Sequence, residues 1–168
     1  MQNEANILIV DDELGPRESL RMILKPTFNV HTVENGKEAL RFIRQEPVNL
    51  VTLDLKMPGI PGIEVLKGIK GYNPNIEVIV LTGYGSLNTA VEALRYGALD
   101  YISKPFDVSQ VEEAVKRGIE KYKTNMPIML QKTMEQTVYA MALTVETKDP
   151  YTAGHQRRVV NLACAIAQ

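Results

Sequence analysis

The chain of 168 residues can hold one ordinary domain and part of another. Its 19 Lys plus Arg against 20 Asp plus Glu leave a net charge of -1, without the basic excess that a nucleic-acid or anionic-membrane surface needs. A hydrophobic share of 45% excludes disorder throughout, and the single cysteine, Cys164, excludes an internal disulfide or a cysteine-rich zinc site.

The first elements alternate with a clear beat. Apolar runs stand at Ile7-Leu8-Ile9-Val10, Leu50-Val51-Thr52-Leu53 and Val78-Ile79-Val80-Leu81, with weaker strands at 29–33 and 100–103. Runs this short, β-branched or leucine and apolar on both faces, are strands of a parallel sheet covered on both sides. Helical stripes lie between and after them: Leu20, Ile23 and Leu24; Ala39, Leu40 and Ile43; Val65, Leu66 and Ile69; Ala90, Val91 and Leu94; and Val111, Ala114, Val115 and Ile119. Glycine and proline punctuate the joins, as at Asn35-Gly36, Pro58-Gly59 and Tyr96-Gly97. Five β–α units predict an α/β fold, an open, doubly wound parallel sheet of flavodoxin-like strand order 2-1-3-4-5 over residues 1–122.

Beyond Lys121 the beat changes. Tyr122, Met126, Met129 or Leu130, Met134, Val138, Met141 and Val145 recur at steps of three and four. This is one long helix, or two meeting at Pro127, and residues 123–148 are read as a linker helix pairing with a second copy to make a homodimer. A turn at 149–154 then leads into a further helix from about His155, whose apolar Val159, Leu162, Ala163 and Ile166 have nothing after them to pack on. Residues 149–168 are therefore expected to open a second domain. No apolar run approaches the roughly 18 residues of a membrane span. The N-terminus lacks a signal sequence, so a soluble, cytoplasmic chain without membrane or nucleic-acid partner is expected.

The chemistry stands at the strand ends, where open α/β sheets bind ligands. The strong strands run into Asp11-Asp12-Glu13, Asp54 and Thr82, and the last strand into Lys104. In the predicted order these groups line one rim. Two carboxylates about 4 Å apart repel by roughly 4 kcal/mol at an effective dielectric near 20, so three together call for a cation. A hard, oxygen-seeking ion such as Mg²⁺ offsets that repulsion. One carboxylate can then attack phosphorus, with Lys104 and Thr82 on the phosphoryl oxygens. Each residue also has a plainer reading: Asp12 or Glu13 favouring a helix start, Asp54 a turn, Thr82 a strand exit, Lys104 a solvated lysine.

The stretches Ile7-Leu8-Ile9-Val10-Asp11-Asp12-Glu13, Leu53-Asp54-Leu55-Lys56-Met57-Pro58-Gly59, Leu81-Thr82-Gly83-Tyr84-Gly85 and Tyr101-Ile102-Ser103-Lys104-Pro105-Phe106 resemble the receiver domain of two-component response regulators, over roughly residues 5–122. The resemblance implies that Asp54 is the phosphoacceptor, served by a sensor histidine kinase. It places Asp11, Asp12, Asp54 and the Lys56 backbone carbonyl around Mg²⁺, with Thr82 and Lys104 holding the phosphoryl group. It further implies a cis Lys104–Pro105 bond, a switch in which Thr82 moves toward the phosphoryl group and Tyr101 turns inward, altering the face of the fourth helix, fifth strand and fifth helix, and an influence of Lys56 and Tyr84 on phosphate lifetime.

Asp149-Pro150-Tyr151-Thr152-Ala153-Gly154-His155-Gln156-Arg157-Arg158-Val159 is similar to the entry of HD-GYP domains, metal-dependent phosphodiesterases of cyclic di-GMP. That likeness makes His155 the first ligand of a transition-metal pair completed in an output domain beyond this chain. The His-Asp pair and Gly-Tyr-Pro segment that name the family are absent, and a metal site needs several ligands together, so no phosphodiesterase activity is assigned to these 168 residues. The expected function is a phosphorylated receiver relaying a signal through the linker to that output. The alternative is a phosphorylation-independent dimerising interaction module. A flavodoxin-like small-molecule binder is disfavoured, because the rim is acidic where a phosphate-cradling glycine loop would be needed.

Overall fold

The computed structural model describes residues 5–83 and 87–146. Strands and helices alternate: β1 (Asn6–Val10), α1 (Leu14–Leu24), β2 (Asn29–Val33), α2 (Gly36–Gln45), β3 (Leu50–Leu53), α3 (Gly62–Tyr72), β4 (Glu77–Thr82), α4 (Leu87–Arg95), β5 (Asp100–Ser103) and α5 (Val108–Glu146). The strands form one parallel sheet in the order β2-β1-β3-β4-β5, as the alternation predicts. The chain divides into two compact units, residues 1–123 and 124–168.

Strand alternation builds two cores in the first unit. Leu8, Val10, Val51, Leu53, Val78 and Val80 point to one face and pack with Ala39 and Ile43 of α2, Val65, Leu66 and Ile69 of α3, and Ala93 of α4. Ile7, Ile9, Leu50, Ile79, Leu81 and Ile102 point to the other and meet Leu20 and Leu24 of α1 and Val111, Ala114, Val115 and Ile119 of α5. Every residue of β3 and β4 is buried, which is why those runs are apolar without alternation. Each buried Val, Leu or Ile among them stabilises the fold by about 1.5–3 kcal/mol relative to exposure.

Two elements differ from the expected pattern. The stripe Ala90, Val91 and Leu94 is not the buried face of α4: Ala93 is fully buried, while Val91 and Leu94 are exposed beside Tyr96. The small alanine seats the helix on the sheet and turns the larger residues outward. In α5, Pro127 lies within the helical span, so the break weighed there is not made. Proline lacks the N–H that would bond the carbonyl four residues earlier, a local cost of about 3 kcal/mol against alanine. Residues 149–168, with His155, and Tyr84 of the strand-four loop lie outside the described residues.

At the other sheet edge, Glu77 is buried at the start of β4, paired with Lys121 of α5 at 3.1 Å and with Lys70 of α3 at 3.9 Å. Burial pulls the Lys70 ammonium below its usual range, and the Glu77 charge opposes that fall. Lys70 donates its remaining hydrogen bonds to the Ile76 and Pro74 carbonyls. The pair staples α3 and α5 to β4, away from the rim that carries the chemistry.

One glycine decides how the loop after β3 closes. A Cβ on Gly62 would stand 2.4 Å from the Leu55 Cα and 2.7 Å from the Asp54 carbonyl oxygen, both backbone atoms that cannot swing away. Gly71, in the same helix, faces open space. Gly62→Ala is expected to destabilise the domain by about 1–3 kcal/mol through overpacking. Gly71→Ala is expected to stabilise it by about 0.5–1 kcal/mol through helix propensity. Urea unfolding of both variants checks the opposite signs.

Candidate functional site

The rim is assembled by register. Val10 of β1 pairs with Leu53 of β3, so the next residues, Asp11 and Asp54, emerge side by side at the carboxyl ends of adjacent parallel strands. The Asp54 N–H still donates to the Val10 carbonyl at 2.9 Å, and the Asp11 N–H to Val33 at 3.2 Å, so both residues leave the sheet with anchored backbones. Thr82 ends β4 opposite Ser103 of β5, and the Lys104 N–H donates to the Thr82 carbonyl at 3.0 Å. The Lys104–Pro105 peptide is cis.

The side chains converge. Lys104 Nζ donates to Asp11 Oδ2 and to Asp54 Oδ2, each at 2.7 Å. The remaining oxygens are also engaged: Asp11 Oδ1 accepts from the Glu13 N–H and Asp54 Oδ1 from the Lys56 N–H, both at 2.9 Å. Asp11, Asp54 and Thr82 are buried at 2%, 3% and 1% exposure, whereas Asp12 is exposed. Lys104 is no solvated lysine, since its side chain is only 11% exposed.

Carboxylate oxygens from Asp11, Asp12 and Asp54 all lie within 4.8 Å of one another. Three acids against one ammonium leave an excess of two negative charges at the site. An all-oxygen donor set of this charge, open at Asp12, suits a hard divalent cation such as Mg²⁺ and lacks the nitrogen or sulfur that zinc prefers. Burial pushes the Asp11 carboxyl above the usual range, and the Asp54 charge adds to that rise; the Lys104 hydrogen bond opposes it. Burial alone would lower the Lys104 ammonium, but its hydrogen bonds to Asp11 and Asp54 outweigh that and hold it above its ordinary value. Lys104 therefore stays charged.

Tyr101 of β5 packs on the α2–α4 side of the sheet. Its hydroxyl is buried without a hydrogen-bond partner, and burial, followed by the nearby Asp54 charge, raises its pKa. The structure thus brings Asp11, Asp12, Asp54 and Lys104 together at one rim, with Thr82 at the end of β4 and Tyr101 in β5.

Two residues were missed. Arg17 of α1, at 7% exposure, donates from Nη1 to the Asp11 backbone carbonyl and from Nη2 to Glu34 Oε1, both at 2.7 Å. Its sequence signal is its place on the buried Leu20–Leu24 stripe, three residues before Leu20, where a charge needs a partner. Gly62 sets the path of the loop that follows Asp54, and its signal is the Pro58-Gly59-Ile60-Pro61-Gly62 cluster.

The family model of the response regulator receiver domain matches residues 7–116. Sporulation initiation phosphotransferase F of Bacillus subtilis is 42% identical over 118 residues, covering 70% of this chain and 94% of that protein. Transcriptional regulatory protein ZraR of Klebsiella oxytoca is 41% identical over 69% of this chain, but the match spans only 26% of that protein's length. Among solved structures, the signal receiver domain of an HD domain-containing protein from Pseudomonas fluorescens superposes with a TM-score of 0.70 at 26% identity, covering 73% of this chain and 99% of that one. Receiver domains bind Mg²⁺ through acidic residues and are phosphorylated on aspartate by sensor histidine kinases, and the acidic rim has the make-up that this requires. The chain belongs to the response regulator receiver domain family of two-component systems.

Proposed function

We propose that Asp54 is the phosphoacceptor, and the observation that carries this is the Lys104 ammonium held 2.7 Å from both Asp54 and Asp11. A carboxylate oxygen of Asp54 attacks the phosphorus of a phosphohistidine on the kinase. The O–P bond forms, the P–N bond breaks, and the released imidazole keeps the electron pair and takes a proton from solvent. Asp11, Asp12, Asp54 and the Lys56 carbonyl would hold Mg²⁺. When bound, the ion neutralises charge that develops on the phosphoryl oxygens. Lys104 exchanges its bond to Asp54 Oδ2 for one to a phosphoryl oxygen, and the Thr82 hydroxyl donates to another.

Tyr101 is the readout. Its buried hydroxyl, without a hydrogen-bond partner, carries a desolvation cost of about 1–3 kcal/mol, and the Asp54 charge is near enough to act on it. The exposed Val91 and Leu94 lie on α4, one of the elements whose change the switch reading invokes. The linker, residues 123–148, carries the signal onward and pairs two copies through its apolar spacing. The output is an HD-GYP domain opened by residues 149–168, with His155 as a ligand of its transition-metal pair. The similarity of 149–159 to such domains supports this, as does the occurrence of a similar receiver in an HD domain-containing protein.

Acetyl phosphate with Mg²⁺ is expected to phosphorylate the chain, read by intact mass. Asp54→Asn abolishes the product, and Lys104→Ala slows its formation by about 10²–10³-fold. Persistent phosphorylation of the Asp54→Asn variant would remove the assignment. Mg²⁺ at a hundred times its dissociation constant raises unfolding stability by about 2.7 kcal/mol. That increment, measured in urea, disappears in Asp12→Ala, whose exposed side chain the fold does not need. Sedimentation velocity is expected to show a dimer weakened by Met134→Glu at an exposed position of α5. A monomer at every concentration removes the pairing, and a dimer indifferent to both Asp54→Asn and a phosphoryl mimic favours the phosphorylation-independent module.

A further inference from the structure

The sheet does not by itself hold the turn that carries two of the three acids. β1 ends at Val10, so the Asp11 carbonyl, on a residue only 2% exposed, has left the strand ladder. A buried carbonyl in that position needs a donor from elsewhere. Arg17 supplies it by reaching back from the end of the first turn of α1, Nη1 to Asp11 O at 2.7 Å. Its other arm, Nη2, meets Glu34 at the start of the turn between β2 and α2, also at 2.7 Å.

The contacts form a continuous path. The Glu34 N–H points to Glu38 Oε2 at 3.5 Å, and the Glu38 N–H donates to Asn35 Oδ1, the cap of α2, at 2.9 Å. Asp11 is thereby gripped at every polar atom: N–H by Val33, carbonyl by Arg17, Oδ1 by the Glu13 N–H and Oδ2 by Lys104.

We propose that Arg17 is a positioning residue for the divalent-cation site, holding the buried Asp11 carbonyl from α1 so that the Asp11 and Asp12 carboxylates stand within ligand distance of Asp54. The proposal rests on the reading of those three acids as the cation site. Arg17 acts through the Asp11 backbone rather than through the three carboxylates. The two arms carry unequal weight. Water can replace Arg17 at Glu34, whose side chain is 68% exposed, but not at the buried Asp11 carbonyl. The planar guanidinium can serve both acceptors at once, whereas a lysine offers a single point of charge on a flexible stem.

The test uses the full 168-residue chain and Mn²⁺ as the probe. Free Mn²⁺ is followed by electron paramagnetic resonance, and circular dichroism reports folding. Arg17→Gln is expected to weaken Mn²⁺ binding by about 10- to 100-fold, the range for lost support of metal ligands. Arg17→Lys falls between Arg17→Gln and the natural chain, and Glu34→Gln stays within about twofold of it. With acetyl phosphate, the Arg17→Gln deficit shrinks at saturating Mg²⁺, which a defect in the chemical step would not do. A folded Arg17→Gln chain with undiminished Mn²⁺ affinity overturns the proposal, even if its urea midpoint has fallen. Should Arg17→Gln not fold, undiminished affinity in Arg17→Lys overturns it instead. If the natural chain binds Mn²⁺ no better than Asp12→Ala does, the cation-site reading itself fails, and the role of Arg17 falls with it.

Discussion

Carboxylates brought together by strand register repel, and the structure depends on how that repulsion is contained. Adjacent parallel strands β1 and β3 end at the same level, which leaves Asp11 and Asp54 nearly buried and side by side. Lys104 comes from the far edge strand, past β4, and bonds to both. A single ammonium does not balance three acids. The residual negative charge keeps the rim ready for a divalent cation, and an anionic phosphoryl group can approach only once that charge is neutralised.

The rest of the first unit serves to keep this rim in place. Cores on both faces of the sheet fix the strands, and the Glu77 pairings with Lys70 and Lys121 secure the opposite end. Tyr101 within β5 and Lys104 just past its end lie three residues apart. Tyr101 packs on the same side of the sheet as Ala93 of α4. Its hydroxyl is buried there without a hydrogen-bond partner.

Much of this was legible in the amino-acid order because parallel strands covered on both faces must be apolar throughout. β3 and β4 announce themselves in this way, and the residues after them are where function concentrates in such sheets. Asp54 and Thr82 stand out as candidates by that rule, whereas Lys104 follows the weaker β5 and needed the resemblance to mark it. The buried face of α4 could not, since Val91 and Leu94 satisfy helical spacing as well as Ala93 does, and only the close approach of the sheet selects the smaller residue. Arg17 was hidden for a related reason. Its partners are a backbone carbonyl and Glu34, and neither leaves a mark in residue type that pairs it with an arginine 17 positions away from the glutamate.

The order of residues by itself determined the beat of five strands and helices, the sheet class and the chemical kinds of group at the rim, because burial and periodicity act on each segment separately. Tertiary structure alone decided that Lys104 bonds to two carboxylates rather than to water, that Asp12 is open while Asp11 is closed, and that an arginine holds the acid-bearing turn from behind. Those outcomes depend on distances between parts of the chain far apart in sequence, up to 93 residues for Lys104 and Asp11. Such distances exist only after the strands have paired and the helices have closed over them.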